Sequence, residues 1–221
     1  KKDLNRQNEL NIARLTAIRS QMNPHFIFNS LNAIQNLILQ KKTVESYDYV
    51  VTFSELVRNA LNYSTKDFIP FQQEIEFLNT YLKLEQLRFE NDLKYSILYD
   101  EIDDLDVPSL MIQPFVENAL LHGLLHKKGL KELHIQFVFA NDLLICTVED
   151  NGIGREKFNK IRTRQGNNHE SFALDAIQKR MDIFNEQFDK TFAGFSFEDA
   201  NPSLEEPGTI ARIKLPFKRH F

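Results

Sequence analysis

The stretch SQMNPHFIFNSLNAIQN, residues 20–36, places a proline and a histidine inside a run that otherwise has the pattern of a helix. An asparagine cap followed by a proline at the first helical position is a common helix start, and His25 is then simply the next residue. Alternatively, the proline removes a backbone donor and bends the helix, which exposes the turn that carries His25. The stretch alone leaves both interpretations open.

Apolar residues at helical spacing predict one helix over 23–40 and a second over 43–64, joined by the short connection KKT. A short link between two such helices predicts an antiparallel hairpin. Two helices bury too little apolar surface alone, so we expect pairing with a second copy into a four-helix bundle. A further amphipathic helix ahead of the hairpin is indicated by Leu4, Leu15, Ile18 and Met22.

Polar residues of the first hairpin helix recur at spacings of 4, 4, 3 and 4. In helical geometry they form one stripe, which lies opposite the buried phenylalanines. A core histidine would lie on the apolar side, and this one does not, although an exposed histidine on a helix is usually an ordinary surface residue. The stripe consists of Gln21, His25, Asn29, Asn32 and Asn36.

Glycine divides the chain of 221 residues, because all seven glycines fall at or after Gly123. The glycine-free part suits long helices, and the remainder must build turns. We therefore predict an α+β protein in which helices precede an α/β sandwich with a largely antiparallel sheet. The expected elements after the hairpin are helices over 71–90, 110–125 and 171–187 and strands over 93–100, 132–139, 143–149, 192–198 and 209–215.

Charge and composition exclude some classes of protein. Residues 1–65 carry eight Lys or Arg against five acids, a net +3, which leaves −7 for the rest of a chain of net charge −4. No basic stripe is interleaved with aromatic residues, so we do not expect nucleic-acid binding. The sequence contains no run of eighteen apolar residues, so we predict no membrane span. The single cysteine, Cys146, precludes an intramolecular disulfide and fits a reducing compartment.

The stretch PSLMIQPFVENALLHG, residues 108–123, carries a second candidate site. Asn118 and His122 are four residues apart and share a helix face, and the opposite face is strongly apolar. An asparagine on a core-packed helix suits Mg²⁺ with a phosphate, because magnesium prefers oxygen ligands and keeps several waters. The other interpretation is an ordinary helix surface that contains Asn and His.

A third candidate is VEDNGIG, residues 148–154, at the end of a predicted strand. Asp150 can accept a hydrogen bond from an exocyclic amine such as that of adenine, and Gly152 and Gly154 permit close approach of a ligand. A bare D-x-G-x-G is also a common turn. The polar stretch 155–170 lacks apolar periodicity, which predicts a long loop of the kind that forms lids or is disordered.

The order of these motifs resembles that of a sensor histidine kinase, and more narrowly of the LytS/YehU type. Its dimerisation helix carries Q-x-N-P-H-F-x-F-N-x-L-N, which is matched here from Gln21 to Asn32. The resemblance continues through LVRNALNYS, EIEFLNTYLKLEQLRF and VPSLMIQPFVENALLHG to GTIARIKLPF, and so covers essentially the whole chain.

The resemblance implies a dimerisation and phosphoacceptor region over 1–66, followed by a GHKL (Bergerat) ATP-binding sandwich over 67–221. It also implies a role for each matching position: His25 as phosphoacceptor, Asn118 as the residue that holds Mg²⁺, and Asp150 as the residue that recognises adenine. Gly152 and Gly154 would shape the nucleotide pocket, and His122 with Lys127 or Lys128 would lie near the phosphates.

Two positions depart from patterns found in histidine kinases. Phe26 follows the histidine where many other families have an acid, so we expect Asn29, one turn on, to orient the imidazole. In SFAL, residues 171–174, Ser171 and Ala173 replace both glycines of a second glycine box. We therefore expect either weaker ATP binding or a lid that is closed by other contacts.

The implied activity is autophosphorylation of His25 by Mg·ATP, followed by transfer to an aspartate of a response regulator. The implied assembly is a homodimer that forms the cytoplasmic portion of a membrane protein, with the membrane anchor in a missing N-terminal region. The alternative is a nucleotide-sensing pseudokinase scaffold without phosphotransfer. An ATP-hydrolysing GHKL enzyme or a Ser/Thr kinase of that superfamily would have no need for the Pro24–His25 helix.

Overall fold

The computed structural model describes residues 24–89, 92–100, 104–140, 142–165, 171–187 and 193–219. The predicted helix ahead of residue 23, with Gln21, lies outside the described residues, and so does the side chain of His25. Among the described helices, none is both long and apolar enough to cross a bilayer.

The predicted helical hairpin is confirmed, as α1 (Pro24–Leu39) and α2 (Thr43–Ser64). The ring of Phe26 packs within the hairpin against Phe53, with the ring centroids 6.0 Å apart. It also contacts Tyr81, outside the hairpin, at 5.2 Å, and so joins the hairpin to the rest of the chain. The prediction that both phenylalanines are buried is wrong, since Phe28 is 66% exposed. Residues two apart on a helix are separated by about 200°, so one face cannot bury both.

The outward side of the hairpin carries a set of exposed apolar side chains, several of which were predicted to be in helix contacts. Contiguous exposed apolar surface is uncommon on soluble monomers and marks a site of association. The four-helix bundle stays a prediction, and these exposed side chains are the surface on which a second copy would pack. The set consists of Phe28, Leu31, Ile38, Leu39, Val44, Tyr47, Val50, Val51 and Leu61.

After a short connection, β1 (Phe68–Pro70) leads directly into α3 (Phe71–Arg88). Strand β1 pairs with β3 (Leu105–Pro108), which also pairs with β8 (Lys218–Arg219). This small antiparallel sheet was not predicted, because strands of two to four residues are too short to show a clear alternation.

The main sheet has five strands in the order β2-β4-β5-β7-β6. The predicted hairpin is confirmed within it, with Leu133 opposite Asp150 at one end and Ala140 opposite Leu143 at the turn. The β2–β4 pair is parallel and the other pairs are antiparallel. The strands are β2 (Leu93–Leu98), β4 (Lys131–Ala140), β5 (Leu143–Asp150), β6 (Gly194–Asp199) and β7 (Thr209–Pro216).

Two helical segments join α3 in packing with this sheet into one apolar core. The first is α4 (Gln113–Asn118), which continues as a π-helical turn over Ala119–Leu124, and the second is α6 (Ser171–Gln187). The predicted α+β class, with helices followed by an α/β sandwich, is confirmed. The core is continuous with the hairpin, and the division at residues 66 and 67 stays a prediction.

The prediction of a loop over 155–170 is wrong for its first part, which forms helix α5 (Arg155–Gln165). Its sequence has too few apolar residues for a periodic signal. The helix is supported by an ion pair between Glu156 and Lys160 at 2.7 Å and by contacts of the Phe158 ring with the rings of His122 and His126. A tertiary contact of this kind does not show in local periodicity.

Candidate functional site

A pocket of about 230 Å³ lies between the π-helical turn, the end of β5 and helix α5. It brings together four of the predicted site residues, Asn118, His122, Asp150 and Gly154, which come from two separate motifs. The remaining lining residues are Phe115, Ala119, Gly123, Val148, Arg155, Phe158, Asn159, Leu174, Phe197, Thr209 and Ala211.

Asp150, the last residue of β5, is held in one orientation at the floor of this pocket. It is 3% exposed, and its Oδ1 accepts a hydrogen bond from the backbone N–H of Gly152 at 2.8 Å. Burial raises the pKa of this carboxyl to about 7, and the hydrogen bonds from the backbone of Gly152 and Thr209 oppose the rise. Backbone donors thus hold the carboxyl in place at the edge of the pocket.

Close backbone contacts surround that carboxyl and explain the glycines near it. A methyl group at Gly123 would lie 2.8 Å from Cγ of Asp150, and one at Gly152 would lie 2.6 Å from its Oδ1. Gly208 has φ +68°, and its N–H donates to the carbonyl of Gly152 at 3.0 Å. Sequence reasoning did not single out Gly123 or Gly208. The signal at Gly123 was available, since this residue ends the long glycine-free part of the chain.

Asn118 and His122 both line the pocket, as their four-residue spacing predicted. Asn118 ends the α-helix, and His122 lies in the π-helical turn that follows it. At the end of that turn, Leu125 N–H donates to the carbonyl of Leu120, an i to i+5 bond, at 2.8 Å. Single π-helical turns of this kind are rare and occur often at functional sites. The π-helical turn had no signal in the sequence.

The polar side chains that line the pocket are suited to a magnesium ion that is bound together with a phosphate. Among the described residues, no group of three or more His, Cys, Asp or Glu side chains is arranged to hold a metal by itself. The amide oxygen of Asn118 would supply one hard ligand, and phosphate oxygens and waters would have to supply the others, which is how Mg²⁺ is usually held at phosphate sites.

Helix α5 covers one side of the pocket, and sequence reasoning missed its aromatic residue, Phe158. The ring of Phe158 lies 4.2 Å from that of His122, centroid to centroid. The guanidinium carbon of Arg155 lies 5.4 Å from the ring centroid of Phe197. Leu174, the last residue of the SFAL stretch on α6, also lines the pocket. The effect of Ser171 and Ala173 on ATP affinity stays a prediction.

Lys127 does not line the pocket, and the expectation that it lies near the phosphates stays a prediction. Its Nζ lies 3.4 Å from Oε2 of Glu206, and the same carboxylate accepts Lys157 Nζ at 3.1 Å through its other oxygen. Lys127 therefore helps to fasten α5 and the loop before β7, and no contact places it among the lining residues.

The predicted phosphoacceptor, His25, lies near the start of α1. His25 is the second residue of α1, and Asn29, one turn on, is half-buried. Among the described side chains, none from α1 lines the pocket. The roles predicted for His25 and Asn29 therefore stay predictions.

Comparison with known proteins agrees with this arrangement. Residues 13–93 match the family model of histidine kinases. The sensor protein LytS of Oceanobacillus iheyensis is 30% identical over 66% of this chain and 25% of its own length, and the sensor histidine kinase YesM of Bacillus subtilis is 32% identical over 64% and 25%. Among solved structures, a mycobacterial sensor histidine kinase, MprB, is 12% identical over 69% of this chain and 98% of its own, with a TM-score of 0.47.

The chain is therefore similar to histidine kinases, both in the family model over residues 13–93 and in these two relatives. Its relatives are sensor kinases of the LytS type, as the motifs had indicated. The chain spans about a quarter of the length of the two relatives, 25% in each case.

Proposed function

We propose that this chain is the kinase portion of a LytS-type sensor histidine kinase, which phosphorylates its own His25 with ATP. The observation that carries the proposal is the pocket. It combines a buried, oriented carboxylate at Asp150 with the amide of Asn118, in a chain that also carries the N-P-H-F motif. The names of the relatives favour a kinase over a pseudokinase scaffold.

In this proposal the two sides of the pocket recognise different parts of the nucleotide. Asp150 accepts the exocyclic amine of adenine, and the backbone of Gly123 lies so close to Gly152 that a side chain at residue 152 would overlap it. Asn118 and His122 face the phosphates. When bound at Asn118, Mg²⁺ supplies charge neutralisation at the phosphate oxygens.

The chemical step transfers the γ-phosphoryl group to the imidazole of His25. A nitrogen lone pair forms the N–P bond, the bond from the γ-phosphorus to the β,γ-bridging oxygen breaks, and ADP leaves with that electron pair. An ordinary imidazole is largely neutral near pH 7, so positioning and charge neutralisation matter more than base catalysis. We expect a conformational change to bring the nucleotide-binding part against the helix that carries His25.

The proposal includes partners and a location. The exposed apolar side of the hairpin would pair with a second copy as a four-helix bundle, and phosphohistidine would pass its phosphoryl group to an aspartate of a response-regulator receiver domain. The full-length protein would be anchored in the membrane through a region N-terminal to this chain, with the kinase part in the cytoplasm, as expected for sensor kinases.

The test is labelling with [γ-³²P]ATP and Mg²⁺. We expect an acid-labile, base-stable label that His25→Gln abolishes and that Asn118→Ala and Asp150→Asn reduce strongly. His134→Gln is the matched control, because His134 is an exposed histidine on β4. Full labelling of His25→Gln would refute the acceptor assignment. Nucleotide binding without any phosphohistidine would instead identify a scaffold.

A further inference from the structure

Ser109, in the turn between β3 and α4, is buried and uses all three of its polar groups on two other parts of the chain. It is 1% exposed. Its N–H donates to the carbonyl of Asp67 at 3.1 Å, and its hydroxyl donates to the carbonyl of Lys66. Its own carbonyl accepts a hydrogen bond from Nη1 of Arg180 at 3.0 Å. One small side chain and its backbone therefore tie three segments together.

Two of the bonds of Ser109 hold the connection between the hairpin and the nucleotide-binding part. Lys66 and Asp67 follow the end of α2 and come directly before β1. The orientation of the hairpin against the sheet depends on the backbone of these two residues, since the chain passes between the two parts only here. Ser109 fixes that backbone from the side of α4, the helix that carries Asn118.

The third bond leads to the nucleotide pocket through α6. Arg180 lies on the same helix as Leu174, which lines the pocket, and six residues of helix separate them by about 9 Å. Further along α6, the ring of Phe184 lies 5.5 Å from that of Phe68, the first residue after the connection. Helix α6 thus contacts the pocket near its start and the connection near its end.

A buried glutamate holds the same turn from α3. Glu74 is 1% exposed, and its Oε2 accepts the N–H of Leu110 at 3.1 Å. Leu110 has φ +55°, a strained conformation for a non-glycine residue that persists only where the surroundings hold it. The turn is thus a rigid element held by α3 and α6.

We propose that Ser109 and Arg180 are positioning residues that couple occupancy of the nucleotide pocket to the connection at the base of the hairpin. The inference rests on the proposed kinase function. A nucleotide that orders Leu174 and the start of α6 would fix Arg180 at the other end of a rigid helix. Arg180 then sets the turn at Ser109 and, through it, the angle at which α2 and α1 leave the nucleotide-binding part.

The kinetic test compares Ser109→Ala and Arg180→Lys with Lys179→Met, an exposed cation one residue earlier on α6 that serves as the control. We expect the affinity for Mg·AMP-PNP to stay within about twofold of wild type while the single-turnover rate of His25 phosphorylation falls about tenfold to hundredfold, as for a misplaced reacting pair. An unchanged rate, or an affinity that falls in proportion to the rate, would overturn the proposal.

A second readout does not need kinase activity. In the wild-type chain, Mg·AMP-PNP is expected to slow amide hydrogen exchange across residues 64–70, and Ser109→Ala is expected to lose this protection while still binding the nucleotide. If the wild-type chain binds nucleotide but forms no phosphohistidine, the proposed function fails and the exchange experiment still decides the coupling. The proposed coupling is wrong if Mg·AMP-PNP leaves the amide hydrogen exchange of residues 64–70 unchanged in the wild-type chain.

Discussion

Gly123→Ala tests whether the fixed position of Asp150 matters for the nucleotide. The added methyl carbon would overlap Oδ1 of Asp150 and would lie 2.8 Å from its Cγ, whereas ordinary contacts begin at 3.4 Å, so one of the two groups must move. Asp150 has little freedom to move, because it is 3% exposed and held by Gly152 N–H at 2.8 Å.

The expected cost follows from that contact. Overpacking a close-packed site typically costs about 1–3 kcal/mol of stability. A displaced carboxylate also loses its hydrogen bond to the adenine amine, and a bond to a charged group contributes about 1.5–3 kcal/mol. We therefore expect the free energy of unfolding to fall by about 1–3 kcal/mol and nucleotide affinity to fall about tenfold to hundredfold.

The measurements are urea unfolding and calorimetric titration with Mg·AMP-PNP. Gly194→Ala is the matched control, since no atom lies within 4 Å of the position its methyl group would take and its φ is not positive. The control should keep both stability and affinity. If Gly123→Ala unfolds and binds like wild type, the carboxylate of Asp150 is not held as the structure indicates and the assignment of the adenine site fails.

Three further predictions concern the pocket and the hairpin. Since the pKa of Asp150 is raised to about 7, its carboxylate is mostly ionised at pH 8 and mostly protonated at pH 6. A protonated oxygen accepts the adenine amine poorly, so titration with Mg·AMP-PNP should show about tenfold weaker binding at pH 6; Asp150→Asn should remove this pH dependence, and its persistence would contradict the role. Phe158→Ala removes the ring against His122 and should cost about 1 kcal/mol in urea unfolding and weaken nucleotide binding, whereas unchanged binding would show that α5 does not close the pocket. Tyr47→Lys places a charge on the exposed apolar side of α2 and should convert a dimer into a monomer in sedimentation analysis; a wild-type chain that is already monomeric at micromolar concentration would refute the predicted pairing.

The hairpin and the residues of the pocket were predictable because their signals are local. Helical periodicity marked α1 and α2, and the D-x-G-x-G turn marked Asp150 at the end of its strand. The spacing of Asn118 and His122 placed them on one face. Each of these signals lies within a few residues of sequence, where periodicity and turn chemistry are informative.

The features that were missed depend on contacts distant in sequence. Helix α5 has weak periodicity and is supported through Phe158 by a ring 36 residues earlier. Gly208 is required by the backbone of Asp150, and Ser109 by a carbonyl 43 residues away. The error at Phe28 has a different origin, because Phe26 and Phe28 lie about 200° apart around the helix and one face cannot bury both.

The carboxylate of Glu206 lies between Lys127 and Lys157, and all three side chains are at least partly open to solvent. Dissolved ions screen such exposed pairs strongly, since the Debye length at physiological ionic strength is about 8 Å. The carboxylate of Asp150 is shielded from water and largely escapes this screening. We therefore expect added salt to weaken the attachment of α5 to the loop before β7 more than it changes the environment of Asp150.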